Sequence, residues 1–385
     1  MSVPALRFKD DKRQDFPDWN AQTFEQVCKI NQGLQIPISE RFAESGRNKH
    51  FYITNEFLRK NSDKQYFIEN PPASVLCNKD DVLMTRTGNT GKVVTGVNGA
   101  FHNNFFKINY DRSLLNKTFL CEFLSLDKTQ SLILKLAGTS TIPDLNHSDF
   151  YKIKIHLPAL QEQAKIANFL TSVDEKITQL FHKCELLAQY KKGVMQQIFS
   201  QKIRFKGDDG QDFPEWEEAM LGDVLDYEQP TKYLVSSTEY DDSYETPVLT
   251  AGKTFVLGYT DEVNGIFEHG LPVIIFDDFT TAFKFVTFPF KAKSSAMKIL
   301  KLNSASNNIK FIYEVMGTLD LPTGDEHKRY WISEYSKLLF QLPCLKEQTK
   351  IANFLTAIDD KIIQTQKQLA AVKQYKQGLL QQMFV

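Results

Sequence analysis

Nearly the same 21-residue segment occurs twice in this sequence of 385 residues. The first copy, "LPALQEQAKIANFLTSVDEKI", occupies 157–177, and the second, "LPCLKEQTKIANFLTAIDDKI", occupies 342–362. With a constant offset of 185, 23 of the 43 positions in 157–199 and 342–384 are identical. A repeat of this length requires a fold in which one structural element is built twice.

A shorter segment is also repeated. "LRFKDDKRQDFPDW" at 6–19 is similar to "IRFKGDDGQDFPEW" at 203–216. The regions between the repeated segments show no convincing match with each other. The chain is therefore a duplicated frame that carries two unlike inserts.

The long repeated segments are predicted to be helices of about 40 residues, which at 1.5 Å per residue makes each about 60 Å long. Pro158 and Pro343 precede them, where a missing N–H costs least. Apolar residues recur every three or four positions, as in a coiled coil. We expect each helix to pack against its duplicate through a stripe that contains Ile166, Phe169, Val173, Ile177, Leu180 and Tyr190 in the first helix and Ile351, Phe354, Ile358, Ile362, Leu369 and Tyr375 in the second.

The two inserts are predicted to be mixed α/β domains with many short strands, because short apolar runs alternate with Gly, Asn and Asp turns. Each insert also contains a stretch with helical spacing. The sequence thus predicts five segments: a conserved N-terminal segment (1–19), a first variable domain (20–156), a first long helix (157–205), a linker with a second variable domain (206–340), and a second long helix (341–385).

Composition gives broad limits. Hydrophobic residues make up 42% and charged residues 24%, as in globular proteins. No run approaches the roughly 18 apolar residues of a membrane span and no signal-peptide core is visible, so we expect a cytoplasmic protein without a membrane partner. The five unpatterned cysteines indicate reduced thiols.

The net charge of −1 is unevenly distributed. Residues 20–156 hold 17 Lys and Arg against 13 Asp and Glu, whereas residues 217–340 hold 11 against 19. The first insert is therefore basic by 4 charges and the second is acidic by 8. Binding to nucleic acid would have to use local patches.

Catalytic motifs are weak in this sequence. "ENPPAS" at 69–74 resembles the Asn-Pro-Pro motif of adenine methyltransferases, but Ala73 replaces the aromatic that would stack on a flipped base. Pro143-Asp144 followed by Asp174 and Lys176 could suggest a nuclease, but Asp174 and Lys176 fall on diverging faces of a predicted helix. Metal-ligand spacing of histidines is also absent. We therefore expect a protein that is not itself an enzyme and holds no metal.

Polar and basic loops in the inserts are the remaining functional candidates. "TRTGNTGK" at 85–92 follows an apolar strand and contains two glycines that permit close backbone approach. Side chains in it and in three other basic stretches suit phosphate or base-edge contacts. The candidate DNA-binding residues are Arg47, Lys49, Arg86, Thr87, Asn89, Lys92, Lys284, Lys291, Lys293, Lys328 and Arg329.

The duplicated helix opening "LPxLxEQxKIANFLTxxDxKI", together with "VLMTRTG" and "HKRYWISEYSKLLFQLP", resembles the DNA-specificity subunits of type I restriction-modification systems over nearly the whole chain. The resemblance implies an α+β fold in which two long antiparallel coiled-coil helices separate two target-recognition domains with pseudo-two-fold symmetry. It also implies that each domain reads half of a split double-stranded DNA target. The length of the helices would then set the gap between the half-sites.

The resemblance further implies two modification subunits, which supply adenine methylation with S-adenosylmethionine, and restriction subunits, which supply translocation and cleavage with ATP and Mg. We expect none of these cofactors in this chain. Because the second insert is acidic, we expect weak DNA binding without partners. Two alternatives remain: a DNA-binding module with catalysis at a metal site of its own, and a coiled-coil scaffold that binds proteins and has no DNA specificity.

Overall fold

The structure is a computed structural model that describes residues 4–59, 64–138, 141–250, 252, 254–319 and 330–384. The chain forms two compact units. Unit 1 contains Met1–Leu180 and Gln368–Val385, and unit 2 contains Phe181–Lys367. Each unit therefore combines one insert with part of each long helix.

The variable region of unit 1 lies between two conserved segments. Its strands are β1 (Asn20–Thr23), β2 (Cys28–Gln32), β3 (Lys49–Ile53), β4 (Phe67–Glu69), β5 (Leu76–Cys77), β6 (Val82–Thr85), β7 (Val93–Val94), β8 (Gly99–Phe101), β9 (Phe105–Tyr110) and β10 (Lys154–Leu157). Its helices are α1 (Phe24–Val27), α2 (Lys117–Ser125), α3 (Asp127–Ala137), α4 (His147–Tyr151) and the first half of α5 (Leu160–Phe199).

Unit 2 begins in the second half of α5. Its strands are β11 (Glu217–Met220), β12 (Leu225–Glu228), β13 (Thr246–Leu249), β14 (Val256–Thr260), β15 (Val273–Asp277), β16 (Phe283–Val286), β17 (Lys291–Ala292), β18 (Met297–Leu302) and β19 (Leu339–Leu342). Its helices are α6 (Leu221–Val224), α7 (Ile309–Met316), α8 (Tyr330–Ser333) and the first part of α9 (Leu345–Met383).

The two inserts share one topology although their sequences do not match. In unit 1 an antiparallel sheet has the order β2-β9-β6-β7, and in unit 2 the antiparallel sheet β12-β18-β15-β16 repeats it. In the second sheet of each unit, the strand β3 or β13 has an antiparallel neighbour, β4 or β14, on one side and a parallel neighbour, β8 or β17, on the other. The predicted mixed α/β domains are confirmed, and the structure adds a likeness that the sequence does not show.

The predicted long helices are confirmed as α5 and α9. In unit 1 the beginning of α5 packs against the end of α9, where Ile166, Leu170 and Val173 share a core with Leu379 and Met383. In unit 2 the end of α5 packs against the beginning of α9, where Ile198 shares a core with Ile351, Leu355 and Ile358. This packing is that of an antiparallel pair.

An arginine, a glutamate and a tryptophan attach the short repeated segment to the long helix in each unit. Arg7 Nε and Nη2 donate to the two carboxylate oxygens of Glu162 at 3.1 and 2.8 Å, and Trp19 Nε1 donates to the same carboxylate at 3.2 Å. In unit 2, Arg204 and Trp216 bind Glu347 in the same way, with distances of 3.3, 2.9 and 3.0 Å. Both glutamates have no exposed surface. We call each trio a carboxylate clamp.

The glutamine after each clamp glutamate fixes the variable region to the helix. Gln163 Oε1 accepts from Asn116 N at 2.8 Å, directly before α2, and Gln348 Oε1 accepts from Asn308 N at 2.8 Å, directly before α7. Both asparagines are N-caps, because their side chains accept from backbone N–H groups of the helices that follow. The repeated Glu-Gln pair thus holds the conserved segment with one residue and the insert with the next.

The duplication extends across the two ends of the chain. In unit 2, Ile203 N donates to Gln197 O at 3.2 Å, a contact within a continuous stretch of chain. In unit 1 the equivalent contact joins Leu6 N to Gln382 O at 3.0 Å, near the opposite ends of the sequence. The frame is therefore circularly repeated, with the N-terminal segment in the place that follows the second helix.

The five cysteines are unpaired in the structure. Burial raises the pKa of Cys28 to about 12 and the pKa values of Cys77 and Cys121 to about 11. These three side chains therefore stay protonated at neutral pH, which makes them poor nucleophiles and poor metal ligands.

The carboxylate clamp makes a prediction about stability. Glu347→Gln removes the negative charge opposite the guanidinium of Arg204, so we expect a loss of about 3 kcal/mol in the free energy of unfolding of unit 2. Glu215 also lies 3.4 Å from Arg204 but is largely exposed, so Glu215→Gln is the matched control and should cost far less. Urea denaturation followed by tryptophan fluorescence measures both. Equal losses in the two variants would contradict the dominance of the buried carboxylate.

Candidate nucleic-acid interface

The loop between β6 and β7 in unit 1 is held in a fixed shape by the last residue of β6. Thr85 Oγ1 donates to Asn89 O at 2.5 Å and accepts from Lys92 N at 2.9 Å. Gly88 and Gly91 adopt φ values of +64° and +92°, which glycine reaches without strain. From α3, Gln130 Nε2 donates to Gly91 O at 2.8 Å. The loop is preorganised and exposes Asn89 and Lys92.

Arg86 is oriented on this loop by two neighbours. Its Nη2 pairs with Asp144 at 2.5 Å, and its guanidinium carbon lies 5.7 Å from the centre of the Phe106 ring. Its Nε is buried and has no hydrogen-bond partner among the described residues. The ion pair with Asp144 and the Phe106 ring hold the Arg86 side chain in place, and its guanidinium remains half-buried at the surface of the loop.

The second basic turn of unit 1 contains Arg47 and Lys49. Arg47 is exposed, while Lys49 is half-buried with its Nζ 3.6 Å from the centre of the Phe42 ring. Lys49 begins β3, which also holds Phe51. Both of the predicted basic residues are thus at the surface, one free in solvent and one against an aromatic face.

A chain of contacts that runs along β3 links the two basic turns. Phe51 packs edge-on against Phe57, with ring centres 5.5 Å apart. Phe57 belongs to a short 3-10 helix, Asn55–Leu58. From this helix, Asn55 Nδ2 donates to Thr87 O at 3.0 Å. Thr87 itself is half-buried and bridges to Asp144. Phe51, Phe57 and Asn55 thus link two sets of candidate residues at the two ends of β3. We call them together the unit 1 surface: Arg47, Lys49, Arg86, Thr87, Asn89 and Lys92.

Asn55 is the residue of this surface that the sequence did not reveal. It carries no charge and lies far from the glycine-rich loop in the chain. Its Oδ1 is buried without a partner among the described residues, although its Nδ2 is satisfied by Thr87. A polar residue directly after a strand was the available signal, but many loops show it.

Of the five basic residues predicted in unit 2, three lie among the described residues, and these three differ in exposure. Lys284 is exposed on β16, and Lys293 is half-buried with its Nζ 3.1 Å from the Tyr240 hydroxyl. Lys328 and Arg329 lie outside the described residues. Of the lysines named, Lys284 is the one most open to a ligand.

Lys291 is a correction to the sequence prediction. It is 3% exposed, its Nζ pairs with Glu262 at 2.9 Å, and it donates to Asn264 O. The hydrogen bond from Lys291 holds the pKa of Glu262 below its usual range. Lys291 is therefore not a candidate DNA contact. Breaking its ion pair would leave a buried charge without a partner.

The predicted helix stripe is mostly packed. Ile166, Val173, Leu180, Ile351 and Ile358 are buried, and Phe169, Ile177, Phe354, Ile362 and Leu369 are partly buried. Tyr190 and Tyr375 are a second correction, because they are 53% and 55% exposed and do not belong to the packed seam. They occupy equivalent positions of the repeat, so the same tyrosine is presented to solvent once in each unit.

The carboxylates considered for a nuclease site are engaged elsewhere. Asp144 pairs with Arg86, and Asp174 pairs with Lys376, so Asp174 is not a merely solvated residue. In the part of the chain that the structure describes, no group of three or more His, Cys, Asp or Glu residues is arranged to hold a metal ion. The same part contains no helix long and apolar enough to cross a membrane.

Comparison with known proteins finds the same family in both halves of the chain. The sequence model of the type I restriction modification DNA specificity domain matches residues 17–187 and again 214–374. The specificity subunit of the Escherichia coli type I restriction enzyme EcoR124I/EcoR124II is 55% identical over 130 residues, which cover 32% of this chain and 31% of that protein. The MjaVIII specificity subunit of Methanocaldococcus jannaschii is 29% identical over 189 residues, which cover 48% of this chain and 44% of that protein. The matches thus span less than half of these relatives.

The fold has been seen in a solved structure. The S subunit of a type I restriction-modification system from M. genitalium superposes with a TM-score of 0.66, covering 100% of this chain and 99% of that chain. The sequence identity is 18%, so this likeness concerns the fold alone.

The contact between Asn55 and the glycine loop can be tested with two glycines. A Cβ at Gly88 would lie 2.5 Å from Asn55 Nδ2, whereas a Cβ at Gly96 would meet nothing within 4 Å, and both residues have positive φ. We expect Gly96→Ala to cost about 1 kcal/mol from backbone strain and Gly88→Ala to cost about 2 kcal/mol, because it also displaces a hydrogen bond. Urea denaturation of the two variants measures the difference. Equal costs would show that Asn55 does not hold the loop.

Proposed function

Because this chain belongs to the type I restriction modification DNA specificity family, we propose that it recognises double-stranded DNA for a type I restriction-modification complex. The proposed target is bipartite, with one half-site read by each unit and a fixed number of unspecified base pairs between. In this proposal the chain catalyses no reaction, and it directs the subunits that do.

The shared topology of the two inserts is the observation that carries this proposal. The frame repeats its carboxylate clamp, the glutamine after each clamp glutamate and its sheet order, while the loops on that frame differ in sequence and charge. A protein that performed the same task twice would repeat its loops as well. Two unlike loop sets on one repeated frame suit two different ligands of the same class, such as two short DNA sequences.

The unit 1 surface supplies the chemistry for one half-site. Arg47 and Lys92 are exposed cations suited to phosphates, which hold a protein in register on DNA. Arg86 and Asn89 carry forked or paired hydrogen-bonding groups that match guanine and adenine edges in the major groove. The preorganised loop keeps these groups in place before binding, which lowers the entropic cost of recognition. Thr87 and Lys49 complete the proposed contacts.

The exposed lysine of β16 and the basic stretch that ends at Arg329 are the proposed phosphate contacts of unit 2. Lys284 and Lys293 belong to this set, as do Lys328 and Arg329. The surplus of acidic residues in 217–340 limits what these cations achieve alone. We therefore propose that partner subunits contribute much of the phosphate binding and that the isolated chain binds DNA weakly.

The proposed partners are two modification subunits and the restriction subunits of the same complex. In this proposal the modification subunits would bind S-adenosylmethionine, and the restriction subunits would bind ATP and Mg. The repeated frame offers two equivalent docking sites, because Tyr190 and Tyr375 present the same exposed side chain. Both α5 and α9 contribute to both units, so a change in their length should change the gap in the target.

Methylation mapping tests the proposed function. The chain is expressed with the modification subunit from its own genome, and host DNA is sequenced by a method that detects N6-methyladenine. We expect a two-part motif with a fixed gap that disappears when this chain is left out. A stable complex that methylates no such motif would contradict the proposal.

Two variants test which residues read bases and which bind phosphates. Asn89→Gly removes a side chain while keeping a residue that tolerates the φ of +94°, and it should relax one half of the motif about tenfold to a hundredfold. Arg47→Ala should lower methylation of all sites without changing the motif, because a phosphate contact carries no sequence information. A relaxed motif in the Arg47 variant would reverse these assignments.

Docking can be tested through the exposed tyrosines. Tyr190→Ser and Tyr375→Ser together should weaken capture of the modification subunit at least tenfold, because aromatic anchors dominate protein interfaces. The matched control is Lys192→Ser, because Lys192 is exposed two residues after Tyr190 and lies on a different face of α5. Size-exclusion chromatography with the purified subunits measures the complex. Unchanged binding by the double variant would place the docking surface elsewhere.

A further inference from the structure

The loop between β15 and β16 in unit 2 is the structural counterpart of the glycine loop in unit 1. In the shared sheets, Thr85 pairs with Phe105, and Asp277 pairs with Met297 at the equivalent position. Arg86 N then donates to Asn104 O, and Asp278 N donates to Ala296 O. This register makes Asp277–Ala282 equivalent to Thr85–Lys92, a likeness that the two sequences do not show.

The tip of this loop holds one aromatic side chain in solvent. Phe279 is 55% exposed. Asp277 Oδ1 accepts from Phe279 N and from Thr280 N, each at 2.8 Å, just as Thr85 caps the loop of unit 1 with its side chain. Thr281 adopts a φ of +60°, which is rare for a β-branched residue and marks a constrained, often functional, backbone. The loop is therefore built to keep Phe279 at its tip.

The charge at the base of the loop is neutralised internally. Asp278, at the position of Arg86, is buried and pairs with Lys298 at 3.0 Å. Its Oδ1 also accepts from Trp331 N at 3.0 Å, so both carboxylate oxygens are engaged. Lys298 occupies the position of Phe106 in the paired strand and is equally buried. The loop consequently presents an apolar ring, where the loop of unit 1 presents hydrogen-bonding groups.

We infer that Asp277–Ala282 is the base-reading loop of unit 2 and that Phe279 recognises thymine by apolar contact with its C5-methyl group. This inference rests on the proposed function. Of the features that bases display in the major groove, the thymine methyl is the one that an aromatic side chain without donors or acceptors can read. Lys284 is exposed on the adjoining β16 and is then available to contact a phosphate. The two half-sites are thus read by different chemistry on one topology.

The test uses the full chain with its modification subunit and compares Phe279→Ala with Phe288→Ala. Phe288 is also exposed in unit 2 but lies beyond β16, outside the loop. Phe279→Ala should relax one thymine position about fourfold in methylation mapping, in the half-site that Asn89→Gly leaves unchanged. Phe288→Ala should keep the parental motif. Thermal unfolding of each complex confirms that both variants are folded.

A chemical substitution in the DNA isolates the methyl group. Oligonucleotide targets carry deoxyuridine in place of thymidine in that half-site, which removes only the C5-methyl. The parental complex should methylate this target about fourfold more slowly, as expected for one buried methyl group, while the Phe279→Ala complex should not distinguish the two targets.

The outcomes separate the two proposals. A parental complex that methylates a two-part motif supports the proposed function, whatever Phe279 does. The inference is overturned if deoxyuridine in place of every thymidine of the unit 2 half-site leaves the parental rate unchanged, or if Phe279→Ala retains both the motif and the response to deoxyuridine. A parental complex that methylates no two-part motif overturns the proposed function and the inference together.

Discussion

A buried glutamate at the beginning of each long helix is the interaction on which the rest of the structure depends. Glu162 and Glu347 have no access to water, so each needs the guanidinium and the indole N–H that the short repeated segment supplies. The contact joins distant parts of the chain, because Arg7 is separated from Glu162 by the entire first insert. With the adjoining glutamine bound to the insert, one turn of helix fixes both the frame and the variable region. A variable region can therefore change its loops without changing how it is held.

Charge triads reinforce this frame further along the helices. Lys376 of α9 lies between Glu122 of α2 and Asp174 of α5 at 3.0 and 2.8 Å. Burial opposes the charged form, but the hydrogen bond that Lys376 donates to Asp174 and the attraction of Glu122 outweigh it, and the pKa of Lys376 is raised. In unit 2, Lys191 repeats the arrangement with Glu314 and Asp359. Because each triad joins both long helices to a helix of the insert, it resists sliding of the helices as well as separation of the domain.

The sequence predicted local features well and non-local ones poorly. The bounds of α5 and α9 follow from their apolar period and the preceding prolines, which are local properties. Tyr190 and Tyr375 continued the same period but face solvent, because an α-helix drifts from a strict heptad seam over several turns. The burial of Lys291 depends on its ion pair with Glu262, and the link between β3 and the glycine loop depends on Asn55. Both are contacts between segments that lie apart in the sequence. Strand order in the inserts likewise depends on pairing between distant segments, so the common topology became visible only in three dimensions.

The opposite charges at equivalent loop positions explain why the inserts differ throughout and not only at their tips. Arg86 is compensated by Asp144 and lies against Phe106, whereas Asp278 is compensated by Lys298, which stands where Phe106 would be. If the unit 1 loop alone replaced that of unit 2, its arginine would lie beside buried Lys298 without a carboxylate. Two unpaired like charges in a dry site would cost more than a new base contact gains. A change in base-reading chemistry therefore requires changes in the strand beneath the loop and in the segment that packs on it. The whole insert must therefore change together, while the repeated glutamate and glutamine continue to hold it to the frame.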